Sequence, residues 1–253
     1  MDGRMGLTVK RLRHRASTLG GRTPEPNEAW ASGVDDEIAF WRNWLRTGGA
    51  EWPQDYEDRM DPRRPLDPVL AANLPVGLGS PMTILDVGAG PLTCVGRVAA
   101  GQPVHVVAVD ALADAYDELL DEVGVTPPVR TQRCETERLT DRFDPGTFDV
   151  AHARNTLDHS YDPVLAIRQM AEVTRPGGVV VLQHYDKEAE NEGYAGLHQW
   201  NLSVERGRPV VSRPVGLHTD RHDVATELAD LVDLTSATPG SRTELDLVVL
   251  RRR

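Results

Sequence analysis

Ile84-Leu85-Asp86-Val87-Gly88-Ala89-Gly90 is followed, twenty residues beyond its last glycine, by Asp110 at the end of the apolar run Val106-Val107-Ala108-Val109. A short apolar run bounded by turn residues reads as a buried strand, so Ile84, Leu85 and Val87 are expected inside. Gly88 and Gly90 allow a tight turn and let a ligand approach main-chain N–H groups. Asp110 is placed to accept hydrogen bonds from ribose hydroxyls. Strand, glycine turn and distal carboxylate together form a nucleoside-binding unit.

The dinucleotide fingerprint Gly-x-Gly-x-x-Gly needs its third glycine where helix and strand pack beside a pyrophosphate. Thr93 stands there, and Asp86 precedes the turn. A carboxylate repels a pyrophosphate, but it is favourable near an ammonium group or where it holds the glycine loop by hydrogen bonds. S-adenosylmethionine (SAM) carries an ammonium, a sulfonium and no phosphate. With Asp86, Gly88 and Gly90 in this order, the chain resembles the class I SAM-dependent methyltransferases, in particular the small-molecule, type 11-like members.

The resemblance continues in three further blocks. Arg133-Cys134-Glu135-Thr136-Glu137 is similar to the segment after the family's third strand, with Glu135 in the position that contacts the adenine amino group. Phe148-Asp149-Val150-Ala151-His152-Ala153 and Asn155-Thr156-Leu157-Asp158-His159 are similar to the fourth strand and its loop. Met170 to Leu182 matches a helix, a Pro176-Gly177-Gly178 turn and the fifth strand. The resemblance implies an α/β fold: a Rossmann-like sheet, mostly parallel, of seven strands with a reversed last strand pair. It implies cofactor contacts from Asp86, Gly88, Ala89, Gly90, Asp110, Ala111, Glu135, Thr136 and Asn155, with SAM as cofactor and S-adenosylhomocysteine as its product.

The 253 residues suffice for one such domain with additions. Residues 1–25 read as a basic, unfolded arm, 26–80 as a helical extension acting as an acceptor lid, and 81–253 as the SAM-binding domain with an insert at about 185–215. No apolar run approaches the roughly 20 residues that span a bilayer. The start lacks an apolar signal core, so a cytoplasmic protein is expected. Cys94 and Cys134 lack Cys-x-x-Cys spacing and read as buried thiols. The net charge is −11. Residues 1–22 and 251–253 hold nine basic residues and one acidic, which leaves 19 basic against 38 acidic in the body. So acidic a body repels phosphate backbones, and a nucleic-acid partner is not expected.

Asp35 or Asp36 is expected to cap a helix whose Ile38, Trp41, Trp44 and Leu45 share a face, ended by Gly48-Gly49. A second helix starts near Asp67-Pro68. Leu202-Ser203-Val204 and Val210-Val211, flanking Arg206-Gly207, read as a hairpin. A helix over about 220–231 follows, capped by Thr219 or Asp220, and then two strands around 232–234 and 245–250. That helix would spread apart the side chains of His218, Asp220 and His222, so no metal site is expected there.

Ligands of open parallel sheets lie beyond the carboxyl ends of the strands, which draws attention to Asn155, Asp158 and His159, and to His184, Tyr185 and Asp186. Leu157-Asp158-His159-Ser160-Tyr161-Asp162 resembles the segment of plant-type O-methyltransferases in which a histidine deprotonates the acceptor, so His159 is the expected base. Asp158 reads as an exposed carboxylate ahead of a helix, with ring orientation or a divalent metal as alternatives. His184 and His198 are expected to line the acceptor pocket, with His184 the second choice of base. Trp41 and Trp44 are expected to fasten their helix to the core, while Trp30, Trp52 and Trp200 are left open. The function expected is SAM-dependent methylation of a small polar acceptor, best a hydroxyl of a sugar or natural product, with a homodimer allowed. N-methylation of an amine or peptide, a non-catalytic SAM-binding protein and an NAD oxidoreductase are the alternatives.

Overall fold

The computed structural model describes residues 26–75, 77, 81–241 and 244–253, with side chains from Gly33 onward. The expected arm over 1–25 and the Trp30 side chain lie outside these limits. The central sheet comprises β1 (Thr83–Val87), β2 (His105–Asp110), β3 (Gln132–Arg133), β4 (Phe148–Arg154), β5 (Thr174–His184), β9 (Val232–Thr238) and β10 (Asp246–Arg252). Its order is β9-β10-β5-β4-β1-β2-β3. Strands β1 to β5 pair in parallel, whereas β10 runs antiparallel to both β5 and β9. This is the seven-stranded sheet with a reversed last pair that the resemblance implied. Strand order turns back between β1 and β4, which opens a crevice at their carboxyl ends.

Both faces of the sheet are covered, so its strands are apolar almost throughout. Leu85, Val87, Ala151, Val180 and Leu182 meet α5 (Pro163–Val173) through Ile167 and Met170. Ile84, Val150, Val179 and Val181 face Leu66 and Leu70, the latter from α3 (Pro68–Ala72), whose first two free N–H groups bond Asp67. A third cluster joins α1 (Pro26–Arg46), α2 (Pro53–Met60) and α4 (Ala113–Val123) through Trp44, Leu45, Tyr116 and Leu120. Among the described residues, no helix is long and apolar enough to cross a membrane.

Several expected boundaries are corrected. Asp35 and Asp36 lie inside α1, which already begins at Pro26; Gly48 and Gly49, at φ of +62° and +101°, do turn the chain after it. The Pro176-Gly177-Gly178 segment is a bulge at the start of β5, where pairing moves from Phe148–Thr174 to Val150–Val179. The expected hairpin is present as β6 (Asn201–Glu205) and β7 (Arg208–Val215), but a third strand, β8 (His218–Asp223), replaces the first turn of the helix expected after it. Only Val224–Glu227 is helical, and its cap is Asp223, bonded to Thr226 N, rather than Thr219 or Asp220. The cross-strand partners Val210 and Val211 hold 218–223 extended, so tertiary pairing overrides the local cap signal.

The start of β1 is fastened by Asp149. Its carboxylate, 4% exposed, accepts from Thr83 N at 2.8 Å and from Arg175 Nε at 2.6 Å. Asp149→Ala leaves that N–H and the guanidinium without this partner. It should cost about 3 kcal/mol, the low end for breaking a buried pair because Arg175 retains some exposure, read as a lower urea midpoint with an unchanged slope.

Candidate active site

The glycine loop is held by the sheet beneath it. Asp86, 1% exposed, accepts from Thr93 Oγ1 at 2.6 Å and faces His152 Nδ1 at 2.8 Å across the β1–β4 pairing. His152 Nε2 lies 2.9 Å from Gln183 Oε1 on β5. A polar row thus replaces apolar packing at the carboxyl ends of three adjacent strands. Of the two roles weighed for Asp86, the geometry supports loop holding, with Thr93 as the tie. Gly88 and Gly90 adopt φ of +67° and +64°. A Cβ on Gly88 would stand 1.9 Å from Thr156 Oγ1, and one on Gly90 2.8 Å from the Trp41 ring. Side-chain-free residues are required there on both counts.

Asp110 closes the loop from the other side, accepting from Gly90 N at 3.0 Å and Leu112 N at 2.9 Å. Burial raises its carboxyl to about 6, against the pull of these two N–H groups. Each oxygen keeps a lone pair for a ligand hydroxyl. Ala89 and Ala111 line the same cavity as Asp110, as do Glu135, Thr136 and Asn155. The Thr136 hydroxyl is already engaged with Glu137 at 2.7 Å and Ser160 at 3.2 Å. Asn155 takes φ +49° and accepts from Tyr185 N at 3.1 Å, which joins the loops after β4 and β5.

Across the cavity lies a cluster of two histidines and one carboxylate. Asp158 Oδ2 is 2.7 Å from His198 Nδ1 and 3.5 Å from His159 Nε2, and the two nitrogens are 3.2 Å apart. Asp158 is 3% exposed, which corrects its reading as an exposed carboxylate; the turn Leu157–His159 folds it inward beneath the insert. Its main-chain carbonyl accepts from Gln199 N and Trp200 N, clamping that turn to the segment carrying His198. Burial would raise the Asp158 carboxyl, but the charges of His159 and His198 outweigh it and hold it at about 2. Burial would likewise lower His198, yet its bond to Asp158 leaves it raised.

His184 does not join this site. It lies behind the sheet in a small apolar recess with Ile167, Leu182 and Val211, both ring nitrogens unpartnered, and burial lowers it to about 4. Residues alternate faces along a strand, and His184 shares the face of Leu182, away from the cavity. His222 is held by Asp220 and Glu227, each at 2.9 Å, beyond the insert on β8. Trp200 is buried under Arg213, whose guanidinium carbon sits 4.3 Å from the ring.

The glycine loop, Asp110 and the Asp158–His159–His198 cluster open on one cavity of about 1480 Å³. Trp41, Trp44 and Trp52 form part of its wall, so Trp41 and Trp44 both anchor α1 and shape the site. Gly33 of α1 abuts Gly196 and Leu197 of the insert, where a Cβ would come within 2.5 Å of main-chain atoms. The wall carries Glu37, Asp55, Asp86, Asp110, Glu135 and Asp158 against Arg59, Arg138 and Arg154. An acidic wall with the carboxylate of Asp110 at the glycine loop fits a cationic nucleoside donor and disfavours a diphosphate. His152, Gln183 and the pairing of His198 with Asp158 escaped the sequence reading. The one signal for His152 is a polar residue inside an otherwise apolar strand.

Thr93→Val keeps the volume but removes the hydroxyl that meets the buried Asp86. It should lower stability by about 1–3 kcal/mol in chemical denaturation and loosen the loop. Unchanged stability would show that Asp86 does not depend on this bond.

With this geometry in hand, known proteins supply the context. The profile of a methyltransferase domain matches residues 56–215. An uncharacterised methyltransferase of Schizosaccharomyces pombe is 33% identical over 111 residues, covering 41% of this chain and 40% of that protein. A ubiquinone/menaquinone biosynthesis C-methyltransferase of Idiomarina loihiensis is 28% identical over 144 residues, covering 54% of this chain and 56% of its own. The chain spans about half the length of these curated relatives. The solved 1,6-didemethyltoxoflavin-N1-methyltransferase of Burkholderia thailandensis, with bound 1,6-didemethyltoxoflavin and S-adenosylhomocysteine, aligns with 94% of this chain and 98% of its own at 16% identity and TM-score 0.49. Matched by the domain profile over well more than half its length, the chain belongs to the methyltransferase-domain family, the class I SAM-dependent enzymes that residues 84–90 resemble.

Proposed function

We propose that this methyltransferase acts on a hydroxyl of a small polar acceptor, a saccharide or a hydroxylated natural product. The observation that carries the reading is the single cavity joining the glycine loop and Asp110 to the Asp158–His159–His198 cluster. Gly88, Ala89 and Gly90 offer main-chain groups to the donor, Asp110 and Ala111 its ribose site, and Glu135 and Thr136 the adenine side, with Asn155 on the cofactor wall between the loops after β4 and β5. Bound SAM supplies an electrophilic methyl group on a positive sulfur. Helix α1 and its tryptophans act as the lid that aligns the acceptor.

An alcohol is a poor nucleophile until its proton is drawn away. Asp158 and His198 hold His159 at the cavity wall, where its imidazole receives that proton. The acceptor oxygen forms its bond to the methyl carbon as the carbon–sulfur bond breaks, so an alcohol becomes a methyl ether and the sulfonium a neutral thioether. A cluster that collects a proton suits a hydroxyl acceptor, because a neutral amine needs little base assistance.

His159→Ala should reduce turnover of hydroxylated acceptors by roughly 10²–10⁴-fold with SAM affinity retained. A screen of sugars and polyketide aglycones with methyl-labelled SAM supplies the assay, and full turnover in the variant would remove His159 from the chemistry.

Asp110 gives a separate pH signature. Above about pH 6 it is ionised and accepts from ribose hydroxyls; below, it is protonated and that acceptor weakens. The dissociation constant for SAM should therefore rise as pH falls through about 6, and Asp110→Asn should flatten this in calorimetry. The folded protein holds this proton more tightly than the unfolded chain does. The group's contribution to stability is therefore present at low pH and lost as pH rises from about 4 to about 6.

A further inference from the structure

We infer that Asp158, His159 and His198 form a site for a divalent first-row transition cation, open toward the acceptor side of the cavity. This deepens the hydroxyl reading above and rests on it for its catalytic meaning. The first support is distance. Asp158 Oδ2, His159 Nε2 and His198 Nδ1 form a triangle with sides of 2.7, 3.2 and 3.5 Å. Ligands about 2.0–2.2 Å from a zinc-like ion stand roughly 3.0–3.4 Å from one another in octahedral or tetrahedral arrangement, so one ion reaches all three with small adjustments.

The second support is a count of hydrogens. His198 Nδ1 faces both Asp158 and His159, yet it carries either one hydrogen or one lone pair. If it donates to Asp158, it has nothing to accept with from His159. If it accepts from His159, it turns a lone pair toward a carboxylate. The one hydrogen at His198 Nδ1 is at best shared between the carboxylate and the His159 ring, whereas a cation satisfies all three atoms.

The third is preorganisation. The Asp158 carbonyl binds Gln199 N at 2.9 Å and Trp200 N at 3.2 Å, so the main chain fixes the two halves of the triangle against each other. Two imidazoles and one carboxylate suit zinc and its neighbours rather than magnesium or calcium. Glu188 and Glu192 on the adjoining wall add the negative potential a cation seeks.

Two other groups lack this character. Asp86, Cys94 and His152 also lie close together. There, however, the Asp86 carboxylate already accepts from Thr93 and pairs with His152, and burial pushes the Cys94 thiol up to about 11, which keeps its proton. His222 is flanked by Asp220 at one ring nitrogen and Glu227 at the other, so those carboxylates do not converge. An ion held there would take His159 Nε2 as a ligand and would replace the ring as the group that draws off the proton. An acceptor hydroxyl in the open position would give its proton to water in the open cavity, and its oxygen would attack the methyl carbon as the carbon–sulfur bond breaks.

The test uses the 253-residue protein, stripped with a chelator and titrated with Co²⁺ while its d–d absorption is followed. S-adenosylhomocysteine binding is measured in parallel. One equivalent should bind, and Asp158→Asn and His198→Gln should each weaken binding by more than about 100-fold, beyond the 10–100-fold that loss of an outer partner costs. His222→Gln should leave it unchanged. Retained S-adenosylhomocysteine affinity in each variant shows that the fold is intact. A wild-type protein that binds S-adenosylhomocysteine but no Co²⁺, or variants that bind Co²⁺ as the wild type does, would overturn the cation site alone. Loss of nucleoside binding from the wild type would instead overturn the methyltransferase reading.

Discussion

The carboxylate of Asp86 is buried at the point where sheet and ligand loop meet, and the donor half of the site depends on its partners. A charge at that depth is tolerated only when hydrogen bonds replace the water it has lost. Thr93 supplies one from the loop and His152 another from β4, while Gln183 extends the row to β5. The same bonds that satisfy the charge also fix the loop over the carboxyl ends of the strands. Gly88 and Gly90 then need no side-chain support, and none fits, because Thr156 and Trp41 already occupy the space beside them.

The half of the cavity lined by Asp158 depends on the insert. Asp158 leaves the sheet immediately after β4, yet its carbonyl and carboxylate are both taken up by residues about forty positions later, in the segment that leads into β6. The insert therefore acts as the far wall of the cavity. It meets α1 at Gly33, so extension and insert close over the crevice from opposite sides. Trp41 and Trp44 belong to both core and cavity, so one helix buries aromatic area and shapes the cavity wall.

The charge distribution has a matching logic. The body is strongly acidic, and the cavity wall carries more carboxylates than guanidinium groups. Such a wall attracts a sulfonium donor and releases a neutral thioether after transfer. Asp110 and Asp158 divide the work in opposite ways. Burial without a cationic neighbour in contact raises the first, while two histidines hold the second ionised.

The residues alone determined the sheet, the glycine loop and the carboxylate of Asp110 beside it, because these rest on local signals: apolar runs, turn glycines and a fixed spacing. Asp67 before its helix and Arg206-Gly207 in the hairpin were legible for the same reason. What only the tertiary structure decided concerns partners distant in sequence. His152 meets Asp86 through strand pairing, and His198 meets Asp158 through the insert, so neither contact leaves a periodic trace in the chain. Asp158 looked like an exposed carboxylate because its cover arrives about forty residues later. His184 looked like a pocket residue because position along a strand is readable, whereas the face to which a residue turns depends on register. The 218–223 segment became a strand for a related reason: its hydrogen bonds are made with β7, and pairing across strands outweighs a local capping preference.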